Sequence, residues 1–216
     1  MENFEHFILT RYNTQFFDGG FLYDNEGADE WMEERQPLFA ATRDSVLSQE
    51  GNFKWIISVD KRTPEKFLKK IFTDKRMIQV NCDIREAFKE VKTKGKWVIT
   101  TRLDNDDRYL PGAIKAIQEE FEPKLKVIDI DYEQLFLKTG KRYTSERKGP
   151  NSPFLSLIEP SDRIMTAFCR PHSVLHTGYP IGNEKVTIDG HKIRKVYAYM
   201  IIHGKNAFNS IVGREV

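Results

Sequence analysis

Cysteine is scarce in this sequence: Cys82 and Cys169 are the only two in 216 residues. Two thiols cannot staple a small disulfide scaffold, and no C-x-x-C pair offers a zinc knuckle. Both are expected as free thiols, consistent with a reducing, cytoplasmic setting. Long apolar runs are missing as well. None approaches the ~20 residues that span a bilayer, and Met1-Glu2-Asn3-Phe4-Glu5-His6 has neither the positive nor the apolar part of a secretory leader. Charge of one sign is also lacking. The 34 Lys+Arg stand against 32 Asp+Glu, a formal net charge of +2, which argues against a surface given over to nucleic acid. There is no G-x-x-x-x-G-K-[ST] loop, no G-x-G-x-x-G after a strand and no G-x-S-x-G elbow. Kinase, dinucleotide-dehydrogenase and hydrolase readings therefore lose their usual support. Among the five histidines only His172 and His176 fall four apart, and Ser173 stands where H-E-x-x-H needs its Glu, so a zinc protease is not supported either.

What is present is a core. Fifteen Phe, eight Tyr and three Trp exclude a disordered chain, and the length suits a single domain able to bury roughly 70% of its unfolded surface. The first half alternates apolar runs with helical periodicity. Residues 7–10, 53–59, 77–80, 96–102 and 127–130 read as strands. Between them, residues 28–49 read as helical with a break at Pro37 that starts a second helix. Thr63-Pro64 opens a helix with Phe67, Leu68, Ile71 and Phe72 on its buried stripe, and Asp83 caps a helix over residues 84–92. This order predicts an α/β domain with a mostly parallel central sheet flanked by helices. The second half is more irregular, with a smaller antiparallel part. Residues 138–151 are basic and loop-like. Residues 186–193 look like a hairpin turning at Asp189-Gly190.

Three places can carry chemistry. Asp104-Asn105-Asp106-Asp107 follows an apolar strand, and ligands of open parallel sheets bind at the carboxyl ends of strands. Clustered carboxylates repel unless a cation offsets them, and Mg²⁺ or Mn²⁺ takes hard oxygen ligands shared with substrate phosphates. A capped helix start is the plainer alternative. Asp60 also ends a buried strand, where it can meet a base or ribose, or simply pair with Lys61 or Arg62. His203, past the apolar run 199–202, can add an imidazole ligand, and the neighbouring Lys205 can neutralise phosphate; an ordinary structural histidine is the commoner fate.

Taken in order, Phe7-Ile8-Leu9-Thr10-Arg11-Tyr12-Asn13, Phe53-Lys54-Trp55-Ile56-Ile57-Ser58-Val59-Asp60, Thr101-Arg102-Leu103-Asp104-Asn105-Asp106-Asp107 and the late His203-Gly204-Lys205-Asn206 resemble a GT-A-type glycosyltransferase. Within that class they most resemble the rhamnosyltransferase-like family of bacteria and their phages. The resemblance implies a GT-A-like fold, related to the Rossmann fold, in one domain over residues 1–216. Residues 1–131 would be its nucleotide-sugar half and 132–216 its acceptor side. It implies a metal-dependent transferase, using Mn²⁺ or Mg²⁺, that moves a sugar, rhamnose among the candidates, from a nucleotide-sugar to a glycan or other hydroxyl acceptor. Thr10, Arg11, Asp60, Arg85, Asp104 and Lys205 would bind the donor, and Asp106 and His203 the metal. The general base is sought among carboxylates of the second half, with Glu159 first, Asp162 second and His172 third. A metal-dependent phosphoesterase or nucleotidyltransferase, and a non-catalytic carbohydrate-binding module of the same fold, are the alternatives.

Overall fold

The computed structural model describes residues 4–14, 22–144, 150–204 and 214–216. Four strands build its first half: β1 (Phe4–Arg11), β2 (Lys54–Ser58), β3 (Met77–Val80) and β4 (Trp97–Arg102). They pair in parallel in the order β3-β2-β1-β4. Their side chains alternate between two buried faces, which explains why the runs read as continuously apolar. Ile8, Trp55, Ile57 and Ile99 face one core, while Phe7, Leu9, Ile56 and Val98 face the other.

The first face is covered by helix α1 (Ala28–Leu47), which lays Met32, Phe39 and Val46 on the sheet, with α2 (Glu65–Ile71) and the later α3 (Ala113–Glu119) beside it. Pro37 lies inside α1 and does not divide it, contrary to expectation. It is exposed, so the carbonyl that loses its hydrogen-bond donor faces water and the helix runs on. Thr63 does not cap α2. Its hydroxyl turns back to donate to the Asp60 carbonyl at 2.6 Å, and Pro64 takes the cap position. The second face is covered by a short 3₁₀ segment, Ile84–Lys89, whose Asp83 cap accepts from the Arg85 N–H. Ile84, Ala87, Val91 and Phe168 close that core.

The remaining strands extend the same sheet. The acidic turn leads into β5 (Arg108–Tyr109), then come β6 (Lys126–Phe136), β7 (Lys141–Thr144) and β8 (Ser156–Pro160). The pair β9 (Tyr179–Ile181) and β10 (Glu184–Val186) and the long β11 (Asp189–Ile202) complete the set. Strand β8 runs antiparallel between β4 and β6, β11 lies parallel to β6, and β5 closes the far edge. The parallel ladders are the longer ones, so the α/β architecture with a mostly parallel sheet and a small antiparallel piece is the one observed.

The expected hairpin at 189–190 is not formed. The separate two-stranded hairpin is β9–β10, turning at Gly182 with φ 59°. Asp189-Gly190 instead begins β11. Glycine is required there by packing, because a Cβ would meet the His176 ring and Pro150 at 2.8 Å. Among the described residues no helix is long and apolar enough to cross a membrane.

Candidate functional site

The carboxyl ends of β1, β2 and β4 lie side by side, with Arg11 in register with Ser58 and Leu9 with Arg102. The acidic turn leaves the sheet at this edge and is fixed from both sides. Asn105 donates to the Tyr12 carbonyl at 2.6 Å, Thr42 of α1 donates to the Asn105 carbonyl at 3.2 Å, and the Asp107 N–H reaches the Asp104 carbonyl. The three carboxylates then meet three different environments. Asp104 remains 44% exposed, with Arg11 at 3.8 Å. Asp107 is buried and accepts from the Ile201 N–H of β11 at 2.8 Å. Burial, with Asp106 and Asp104 nearby, pushes its carboxyl well above the usual range.

Asp106 is the centre of the cluster. Its Oδ2 accepts from Arg35 of α1 at 2.8 Å and meets His203 Nε2 at 3.0 Å, and Arg35 also stands 3.3 Å from that Nε2. One ring nitrogen cannot donate to the carboxylate and accept from the guanidinium at once, so the tautomer of His203 decides which contact is made. Burial pushes the Asp106 carboxyl up, but His203 and Arg35 outweigh it and hold it below the usual range. Arg35 also lies 5.0 Å over the Trp31 ring, one helical turn earlier. Nothing in the local sequence marked Arg35. Only the i,i+4 spacing with Trp31 places the two on one face of α1.

Asp106 and His203 are the two side chains here that could hold a divalent cation, which would have to take the rest of its shell from substrate and water. A carboxylate oxygen and an imidazole nitrogen are suitable ligands for Mn²⁺ or Mg²⁺. Among the described residues no group of three His, Cys, Asp or Glu comes together, and the Arg35 guanidinium already occupies the oxygen such a cation would use.

The other candidates are distributed differently. Asp60 is buried, and its carboxylate is taken up by the Arg62 backbone and guanidinium and by the Tyr23 N–H. Burial raises its pKa, and those bonds bring it below the ordinary value. The pairing with Arg62 is thus the plainer alternative, in a buried setting. Thr10 does not line a pocket. It is fully buried, donates to the Leu103 carbonyl at 2.8 Å and accepts from Trp55 Nε1 at 2.9 Å. Arg85 pairs with Asp83 and shares a groove of about 630 Å³ with Phe88, Asp162 and Cys169; the structure does not bring it to Asp104. Lys205 lies outside the described residues, as do Arg147 and Lys148 of the basic run. His172 Nδ1 is 2.8 Å from the Asn151 carbonyl.

Glu159, the first choice for general base, is not brought together with the acidic turn. It pairs across from Val98, near the start of β4, and its carboxylate lies beside Thr100, still short of the acidic turn. It is fully buried. Its carboxylate accepts from the N–H groups of Met165 and Thr166 at 2.8 and 2.9 Å and from the Tyr179 hydroxyl at 3.2 Å. Burial raises its pKa to about 7. Spent on backbone donors, this carboxylate anchors the segment after β8.

Fold and site together define an α/β protein with a cation-partnered acidic cluster at the carboxyl edge of its sheet. No family model matches the chain, and no curated protein matches it. Among solved structures it is similar to the crystal structure of S. aureus TarS 1-349, with a TM-score of 0.49 and 13% identity over 91% of this chain. The chain spans 60% of the length of that one. At that distance the chemistry has to be argued from this chain's own residues.

Proposed function

We propose that this protein is a nucleotide-sugar-dependent glycosyltransferase acting on a glycan or other hydroxyl acceptor, with rhamnose a candidate sugar. The observation that carries the reading is the meeting of Asp106, His203 and Arg35 at the carboxyl edge, beside the exposed Asp104 and Arg11. The order of motifs along the chain, which resembles the GT-A class, supports it. Asp104, partly exposed at this edge, would accept from a donor hydroxyl or a bound water. Asp106 and His203 would hold Mn²⁺ or Mg²⁺, which when bound supplies Lewis-acid stabilisation of a leaving nucleoside diphosphate. Arg11 adds positive charge on the opposite side of Asp104. Arg35 holds Asp106 ionised and oriented. Thr10 and Glu159 act indirectly, by fixing the ends of β1 and β4 and the segment after β8.

The test is calorimetric titration of the full chain with UDP, GDP and dTDP in the presence of Mn²⁺. At least one nucleotide is expected to bind, and Asp106→Ala is expected to weaken it by about tenfold or more, the worth of a charge-assisted contact. Absence of binding by all three, or binding indifferent to Asp106→Ala, overturns the reading.

A further inference from the structure

The two-residue period of β1 and β4 points Phe7, Leu9 and Arg11 of one strand, and Val98, Thr100 and Arg102 of the other, to the second face of the sheet, away from α1 and Arg35. At the strand ends this places two guanidinium groups on one aromatic ring. Arg102 Cζ lies 4.3 Å and Arg11 Cζ 5.0 Å from the centroid of Phe168. Arg102 is only 7% exposed. One of its N–H groups donates to the Arg170 carbonyl at 3.2 Å, while its buried Nε has no partner among the described residues. Burial pulls its pKa to about 10; Asp104 opposes that shift and Arg11 adds to it. It therefore stays charged at neutral pH. Asp104, more than a third exposed and 3.8 Å from Arg11, is the acid these two cations share. A buried guanidinium with an unmet donor, beside a second one, is costly unless an anion joins it.

Phe168 is held in place with unusual care. Glu159 takes the N–H groups of Met165 and Thr166, and Thr100 Oγ1 takes that of Ala167 at 2.9 Å. Thr166 sits at φ 68°, a conformation that a residue with a branched side chain keeps only when its surroundings over-determine it. The anchor that Glu159 provides thus helps present the ring to the two arginines.

We propose that Arg102, Arg11 and the face of Phe168 form a binding site for a phosphate-type oxyanion, on the opposite face of the sheet edge from Asp106. Planar guanidinium forks match phosphate oxygens in pairs, and the ring keeps both forks in place and excludes water from the buried one. The site rests on the guanidinium pair. Only the source of its phosphate, a donor diphosphate or a phosphate carried by the acceptor, rests on the transferase reading.

The experiment is titration of the full chain with inorganic pyrophosphate and phosphate in EDTA. Binding is expected, weakened about tenfold or more in Arg102→Gln and in Arg11→Gln. Arg11 is one-third exposed, so its variant keeps the test valid if Arg102→Gln fails to fold. No binding to the native chain, or an unchanged Kd in Arg11→Gln, overturns the site. Competition between pyrophosphate and UDP supports the site and assigns it to the donor; simultaneous binding supports it and assigns it to the acceptor. Arginine-dependent pyrophosphate binding with no response to UDP, GDP or dTDP leaves the site standing and removes the transferase reading. Nucleotide binding without any pyrophosphate binding does the reverse.

Discussion

Two buried-edge carboxylates, Asp106 and Glu159, stand near opposite ends of the same central strand and do opposite work. Asp106 meets side chains: a guanidinium from α1 and an imidazole from the end of β11. These partners can rotate away, and they arrive from distant parts of the chain. Glu159 meets chiefly main chain, the N–H groups of residues 165 and 166, with one tyrosine hydroxyl. Backbone donors cannot leave without unfolding the segment. An acid partnered by side chains is available for exchange with a ligand, whereas one partnered by backbone is a structural anchor.

The largest expected effect follows from that anchor. Glu159→Ala leaves the buried Thr166 N–H, the part-buried Met165 N–H and the Tyr179 hydroxyl without their acceptor, at ~1–3 kcal/mol for each unmet buried group. The loss should reach about 3 kcal/mol or more, read as a lowered midpoint in urea denaturation. A variant as stable as the native chain would remove the distinction between the two acids.

The same residue gives a pH dependence. Burial raises the Glu159 pKa from 4.5 to about 7. Between those values the folded chain keeps a proton that the unfolded chain has released. Stability contributed by this group is therefore full at low pH and falls as pH rises through that window, by up to ~1.4 kcal/mol per unit. His6, buried and pulled down to about 3 by burial, has the opposite slope between there and 6.5, since the unfolded chain binds the extra proton. The difference between native and Glu159→Gln stability, measured from pH 4.5 to 7.5, cancels His6 and isolates Glu159. A difference independent of pH contradicts the raised pKa.

On the other acid, a divalent cation would compete with Arg35 for one oxygen. Arg35→Met removes the competitor, and Mn²⁺ affinity measured by calorimetry or paramagnetic resonance should tighten by about threefold to tenfold, the worth of one charge-assisted bond in a partly exposed place. Unchanged or weaker Mn²⁺ binding would show that Arg35 belongs to the binding arrangement and does not merely hold its place.

The strands and the edge they share were legible in the sequence because β1, β2 and β4 are buried on both faces and end abruptly in polar residues. The position of Asp104 to Asp107 follows from that alone. The meeting of Asp106 with His203 rested on the resemblance of motifs, since β11 reaches this edge only by pairing with β6. Arg35 could not be read at all: it acts across 71 residues of sequence and looks like any charge on an exposed helix. Glu159 was misjudged because its place depends on the antiparallel register of β8 against β4, which no local pattern fixes. At Asp189-Gly190 the turn signal was real chemistry with a different cause, the close approach of His176 and Pro150 to a glycine in a strand.

The smallest expected effect tests how far the resemblance carries at single residues. The resemblance implies that Arg85 reaches the donor pocket from its helix, but it lies in the first turn of the 3₁₀ segment on the second face and pairs with Asp83, two residues away. Its side chain is 59% exposed, so the pair is screened and worth little. Arg85→Ala should leave stability within about 0.5 kcal/mol. Nucleotide binding should stay within about twofold, because no contact to the carboxyl edge is lost. A tenfold loss of nucleotide binding would instead extend the ligand surface from Asp104 into the groove shared by Arg85 and Asp162, and would join the two faces of the sheet edge in a single site.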